Sequence, residues 1–167
     1  MPLTKEILGH YRNPVFVEGG SYQGEAVGFA LDLGFLAVHT IELDPDRAAG
    51  VRAQFRHSPQ VHVYRGDSAK VMPSVLLSLQ GPLTVWLDSH PPDGILTSEN
   101  TPVLAELTCL ASYAKRFPVV IMIDDMRLFS DDLKAQVIGL VKNLFPDQYR
   151  ISYLDNHIGT ADIMLIH

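Results

Sequence analysis

Short strand-like runs alternate with helical patterns five times along this chain. That alternation restricts the fold more than any other feature. Val119–Asp124 is an almost unbroken β-branched run, Ala37–Leu43 is a second run, and shorter ones begin at Val15, Val61 and Leu83. A strand followed by a helix cannot turn straight back as a hairpin. The helix carries the chain across the sheet, so the next strand lies parallel to the first. Parallel strands are covered on both faces and therefore read as apolar.

The punctuation supports this reading. Residues 3–12 suit a short helix that Asn13-Pro14 breaks. A first helix after the first strand ends at Leu33-Gly34. Asp44 with Pro45 opens the next, which runs to about Phe55. A helix over 68–79 contains Pro73, Thr101-Pro102 caps one that ends near Ala114, and Ser130 caps one through Leu144. Two final strands, Tyr149–Leu154 and Asp162–Ile166, are joined by a turn over 155–160 with no helix between them. They should form a hairpin with one antiparallel strand in the sheet. The expected architecture is one α/β domain over 1–167. It is a Rossmann-like, doubly wound, mostly parallel seven-stranded sheet with helices on both faces and a C-terminal antiparallel strand.

Composition excludes several classes. The chain has 167 residues, 47% of them hydrophobic, which suits one domain with a real core. No apolar run approaches the roughly 18 residues of a membrane span, and the N-terminus has no signal-peptide pattern. Its one cysteine, Cys109, excludes a disulfide framework and reads as an inert, packed thiol. The expected setting is cytoplasmic, with no membrane partner. A net charge of −6 without a basic run disfavours nucleic acid as a partner.

In open parallel sheets, ligands bind beyond the carboxyl ends of the strands. Every such end here carries an acid: Glu18-Gly19-Gly20, Glu42-Leu43-Asp44, Gly66-Asp67-Ser68, Asp88-Ser89-His90 and Asp124-Asp125. The final turn adds Asp155, Asn156 and His157 on the same edge. The segment Glu18-x-Gly20-x-x-x-Gly24 reads as strand, tight turn and helix, where the lack of a Cβ lets a small ligand approach the backbone. It is not the dinucleotide fingerprint, because Ser21 stands where a second glycine is needed. Glu42 lies 22 residues after Gly20, where a carboxylate can accept bonds from ribose hydroxyls.

These motifs in this order resemble the cofactor site of class I S-adenosylmethionine-dependent methyltransferases. The resemblance implies that Glu18, Gly20 and Ser21, with Gly24 closing the turn, line the methionine end. It gives Glu42 to the ribose and Asp67 with Ser68 to the adenine. Tyr22 or Trp86 would offer the sulfonium a cation–π face. The strand ends Trp86–His90 and Ile121–Arg127 resemble those of magnesium-dependent O-methyltransferases of the catechol and macrocin type. By that resemblance Asp88, Asp124 and Asp125 hold Mg2+ or another divalent cation. Adjacent strand residues face opposite ways, so Asp124 and Asp125 can share an ion only if the strand has ended. A pairing of Asp125 with Arg127 competes with that role.

His90 is the first candidate for a general base beside Asp88, with metal ligation as its alternative role, and His157 is the second. His39, His57 and His62 fall away from this edge. Asp131 and Asp132 are explained by the helix dipole. The chain has only about 14 residues before its first strand, and its one sizeable connection is Ser89–Asn100. That loop, a second subunit or a large acceptor would have to cover the site, and an uncovered sheet edge would favour a homodimer. The expected activity is methyl transfer to a hydroxyl of a small acceptor, a sugar or a phenol. Its rivals are another adenosine-cofactor enzyme and a cofactor-binding module without activity.

Overall fold

In the computed structural model, which describes residues 3–91 and 94–167, the expected alternation forms one sheet. The elements are α1 (Lys5–His10), β1 (Val15–Gly19), α2 (Glu25–Asp32), β2 (Ala37–Glu42), α3 (Pro45–Gln54), β3 (Val61–Arg65) and α4 (Ser68–Leu77). They continue with β4 (Leu83–Leu87), α5 (Val103–Ala114), β5 (Val119–Ile123), a 3-10 turn (Met126–Leu128), α6 (Asp131–Leu144), β6 (Ile151–Leu154) and β7 (Ile163–Ile166). The strand order is β3-β2-β1-β4-β5-β7-β6. The first five strands pair in parallel, and β7 runs antiparallel between β5 and β6.

Successive strand residues face opposite sides of the sheet, and the two sides have separate cores. Phe16, Val38, Trp86 and Met122 pack with Leu8 of α1, Val27 and Ala30 of α2, and Val51 of α3. Val17, Ile41, Val85 and Ile121 pack with Met72 of α4, Leu107 and Leu110 of α5, and Val137 of α6. The caps act as their residue types require. Asp44 accepts from the amides of Asp46 and Arg47, and Ser130 accepts from Leu133.

A few boundaries differ from expectation. β2 ends at Glu42, and Leu43 is exposed where the chain turns into α3. α4 stops at Leu77. Pro102 takes the N-cap position of α5 and has no side-chain hydrogen bond there, while the Thr101 hydroxyl one residue earlier accepts from Val103 N at 3.4 Å. β6 begins at Ile151, because Tyr149 is held outside it. The Tyr149 hydroxyl accepts from the Val119 amide at 2.9 Å, and its ring lies against Phe145.

The Ser89–Asn100 connection includes residues 92 and 93, which lie outside the described residues. Its second half is bound down. Leu96 is fully buried, its amide donates to Leu128 O at 2.7 Å, and its carbonyl accepts from Ser130 N at 2.9 Å. At the β3 edge, Arg52 Nη2 donates to the Val63 carbonyl at 2.8 Å and covers one open acceptor of that strand.

Phe16 sits fully buried at the centre of the sheet, against Phe35 at 5.5 Å between rings. Phe16→Ala should cost about 3–5 kcal/mol, read as a lower urea midpoint at unchanged slope. A loss below about 1 kcal/mol would mean that this face is not packed as described.

Candidate active site

All five parallel strands deliver their carboxyl ends to one edge, and backbone bonds hold those ends in place. Asp88 N donates to Gly19 O at 2.9 Å, Asp124 N to Leu87 O at 3.1 Å, and Gly20 N to Ile41 O at 2.9 Å. The turn after β1 therefore lies directly against the end of β4. Gly20 has φ +87, and a Cβ there would stand 2.3 Å from the Asp88 carbonyl oxygen. Gly24, at φ +80, would meet the Phe55 ring at 2.8 Å. A Cβ on Gly19 would meet Ser89 Oγ at 2.4 Å and Glu106 Oε1 at 2.7 Å. The glycines expected to admit a ligand are thus required first by the chain's own close approach.

Glu42 is almost fully buried and clasps this turn. Its Oε2 accepts from Tyr22 N at 2.9 Å and from Ser21 Oγ at 3.4 Å, while Oε1 accepts from Asp44 N at 2.9 Å. Each oxygen has two lone-pair directions, so Oε1 keeps one free. Glu18 is buried beside it and accepts from Thr40 Oγ1 at 2.6 Å. Asp67 caps α4 through Ala69 N at 3.0 Å and pairs with Lys70 Nζ at 3.2 Å. The buried Ser68 hydroxyl has no hydrogen-bond partner. The two aromatics offered for a cation–π face are otherwise engaged. Trp86 is fully buried in the core, and the Tyr22 ring lies 4.8 Å under the Arg47 guanidinium.

The three acids expected to share a cation are divided between two sets. Among the described residues, ligand atoms converge within 4.8 Å in Asp88, His90 and Asp125, and again in Asp124, Asp125 and Asp162. Asp125 takes part in both because its backbone has left the strand, at φ +57. Its carboxylate and that of Asp162 both bind Arg127, so the competing ion pair forms. His90 Nε2 is 3.2 Å from Asp88 Oδ1 and 3.5 Å from Asp125 Oδ2. His157 lies exposed in the β6–β7 turn and belongs to neither set.

Charge at this edge is poorly compensated. Burial, then the neighbouring carboxylates Asp88 and Glu42, push Glu18 up to about 8 despite its Thr40 bond. Burial and the carboxylates of Asp88, Asp125 and Asp162 push Asp124 up to about 8. Burial also raises Asp88. For His90 burial works downward, but Asp88, the Pro91 carbonyl and Asp125 outweigh it and raise the imidazole to about 9. While no cation is bound, these neighbours favour the protonated ring, which counts against the base role read from its position.

Two acids escaped the sequence reading. Glu106 of α5 is buried, its Oε1 unpartnered, beside the hydroxyls of Ser68 and Ser89; burial drives it to about 7. The signal was an acid on the same helix face as Val103, Leu107 and Leu110. Asp162, assigned to the last strand, precedes β7 and accepts from Arg127 N at 3.0 Å. A cavity of about 10 Å³ adjoins Glu106, Ser89 and His90. A larger groove of about 390 Å³ runs along β3, past Arg52, Arg56 and His62, away from the acids.

No protein-family profile matches this sequence, and no curated protein does. Solved structures do match. A putative methyltransferase from Streptococcus mutans, in complex with SAH, is 16% identical with a TM-score of 0.64, covering 97% of this chain and 93% of that one. This is the class I methyltransferase fold. An O-methyltransferase from Bacillus cereus, in complex with SAH, aligns at 14% identity and TM-score 0.65 over 97% of this chain and 77% of that one. A putative rRNA methylase from Clostridium thermocellum aligns at 12% and 0.62, over 97% and 92%. In this methyltransferase fold the acids described above occupy the carboxyl edge of the sheet, and its closing β6–β7 pair is the expected one.

Glu18 keeps its proton in the folded protein over a pH range in which the unfolded chain gives it up. The stability contribution of this group therefore falls as pH rises from about 4.5 to about 8. Glu18→Gln preserves the acceptor for Thr40 and removes the charge. It should raise Tm by several degrees at pH 8.5 and hardly at all at pH 5, by thermal scanning. An equal change at both pH values would show that Glu18 is not held protonated.

Proposed function

We propose that this protein is an S-adenosylmethionine-dependent methyltransferase acting on a hydroxyl of a small acceptor, with a divalent cation beside the reacting atoms. The observation that carries this reading is the surplus of buried carboxyls at the carboxyl edge of a methyltransferase fold. Glu18 and Asp124 are both driven to about 8, first by burial and then by neighbouring carboxylates. A ligand bearing a sulfonium and an ammonium supplies positive charge there. Its methyl carbon, activated by the positive sulfur, is the group transferred.

Glu42 would take the ribose with the free lone pair on Oε1 while its other bonds hold the turn. Glu18, Gly20, Ser21 and Gly24 would bound the methionine end, and Asp67 with the unpartnered Ser68 hydroxyl the adenine end. Asp88 and Asp125, facing one point, would hold the cation, with Asp124 buried behind them. A bound divalent ion lowers the pKa of an acceptor hydroxyl and orients it. The carboxylates would then position that oxygen for attack along the line of the breaking carbon–sulfur bond, and its proton would leave to this acidic edge. Of the two reacting-edge residues, Asp88 would act directly, and His90 would stand beside both Asp88 and Asp125. A net charge of −6 favours a small acceptor over a polyanion, although solved neighbours include proteins described as rRNA methylases.

Calorimetric titration with S-adenosylmethionine should show micromolar binding that Glu42→Ala weakens by about ten-fold or more. Affinity should rise between pH 6 and 8, because a cationic ligand displaces the proton on Glu18. Absence of binding to folded protein would end this reading.

A further inference from the structure

Only one of the two convergent sets at the carboxyl edge leaves a place for an ion. In the set with Asp162, the Arg127 guanidinium is already seated between Asp125 and Asp162. Asp162 also accepts from Arg127 N and from Asn156 Nδ2, each at 3.0 Å. One positive charge and two further donors satisfy that corner.

The other set is unfinished. The His90 side chain is only 6% exposed, yet its Nε2 has no hydrogen-bond partner. Asp88 Oδ1 at 3.2 Å and Asp125 Oδ2 at 3.5 Å are near it without being aligned to accept. The other ring nitrogen is committed. Nδ1 lies 2.8 Å from the Pro91 carbonyl oxygen. That oxygen can only accept, so Nδ1 carries a hydrogen and Nε2 is the nitrogen available to a ligand. An N–H held by a backbone carbonyl is how metal-binding imidazoles are commonly oriented. Ligand bonds of about 2.0–2.2 Å set neighbouring ligand atoms about 3–3.5 Å apart. The Asp88–His90 and His90–Asp125 separations already have that size.

We propose that Asp88, His90 and Asp125 form a divalent transition-metal site in which His90 Nε2 is a ligand, and that this site selects ions of the Mn2+ to Zn2+ series over Mg2+. Two carboxylates balance the dication. The imidazole provides the preference, since nitrogen donors favour first-row transition ions, whereas Mg2+ prefers oxygen and water. The site rests on the reading of this edge as metal-assisted, but it exchanges the all-carboxylate set for one that includes a nitrogen. Asp124 supports it from outside, with its Oδ1 accepting the Asp125 amide at 2.8 Å.

The test uses the full chain, chelator-treated and then titrated by calorimetry with Mn2+, Zn2+ and Mg2+. Folding of each variant is checked by metal-free circular dichroism. Mn2+ and Zn2+ should bind at least about ten-fold more tightly than Mg2+. His90→Ala should weaken Mn2+ about ten-fold or more, and Asp124→Asn by less than about three-fold. Pulsed electron paramagnetic resonance of the Mn2+ form should show coupling to a nitrogen that His90→Ala abolishes. Unchanged Mn2+ affinity in His90→Ala, with no nitrogen coupling, would overturn this site while leaving an all-carboxylate cation site intact. Failure of all three ions to bind would overturn it as well. S-adenosylmethionine binding, measured separately, then decides whether the methyltransferase reading survives.

Discussion

Parallel strands send their carboxyl ends to the same edge, and this chain ends those strands in acids. The result is a set of carboxyls that are close together, largely out of water and short of positive charge. Glu18, Asp88 and Asp124 are all driven upward, first by burial and then by neighbouring carboxylates. Arg127 meets part of the demand at Asp125 and Asp162, and in the proposed reading bound cations meet the rest. An edge of this kind costs stability in the free protein and gains affinity for a cationic ligand from the same cause.

The turn after β1 shows how such an edge is built. Its glycines are usually read as room for a ligand. Here the room at Gly20 is taken by the Asp88 carbonyl, and that at Gly19 by Ser89 and Glu106. The turn can press onto the end of β4 because it lacks side chains. That contact draws Glu18, Glu42 and Asp88 into one neighbourhood. Glu42 then ties the turn to the end of β2 through the amides of Tyr22 and Asp44. If the proposed function holds, cofactor recognition and internal packing are served by the same residues, and a substitution such as Gly20→Ala disturbs both.

Much of this was legible beforehand because it depends on local chemistry. The alternation of runs and helices gave parallel pairing, and the missing helix between the last two strands gave the hairpin that sets β7 antiparallel. Acids at the strand ends could be listed from the chain alone. Their grouping could not. Asp124 and Asp125 are neighbours in sequence and share one set, but only Asp125 also reaches Asp88 and His90, and the backbone at Asp125 decides that by turning to φ +57. Glu106 was visible as an acid on an apolar helix face, but its position under Gly19 required α5 to be packed on the sheet. Tyr22 and Trp86 were plausible walls by residue type; packing made one a partner of Arg47 and the other part of the core.

By itself, then, the sequence determined the sheet, its order of helices and strands, and the edge where charge would gather. These follow from periodicity, caps and the rule that a helix between strands makes them parallel. Only the tertiary structure decided which acids converge on one point, which nitrogen of His90 lacks a partner, and which carboxyls burial pushes upward. Those properties depend on distances between residues far apart in the chain and on exclusion of water. Neither is written in any local stretch.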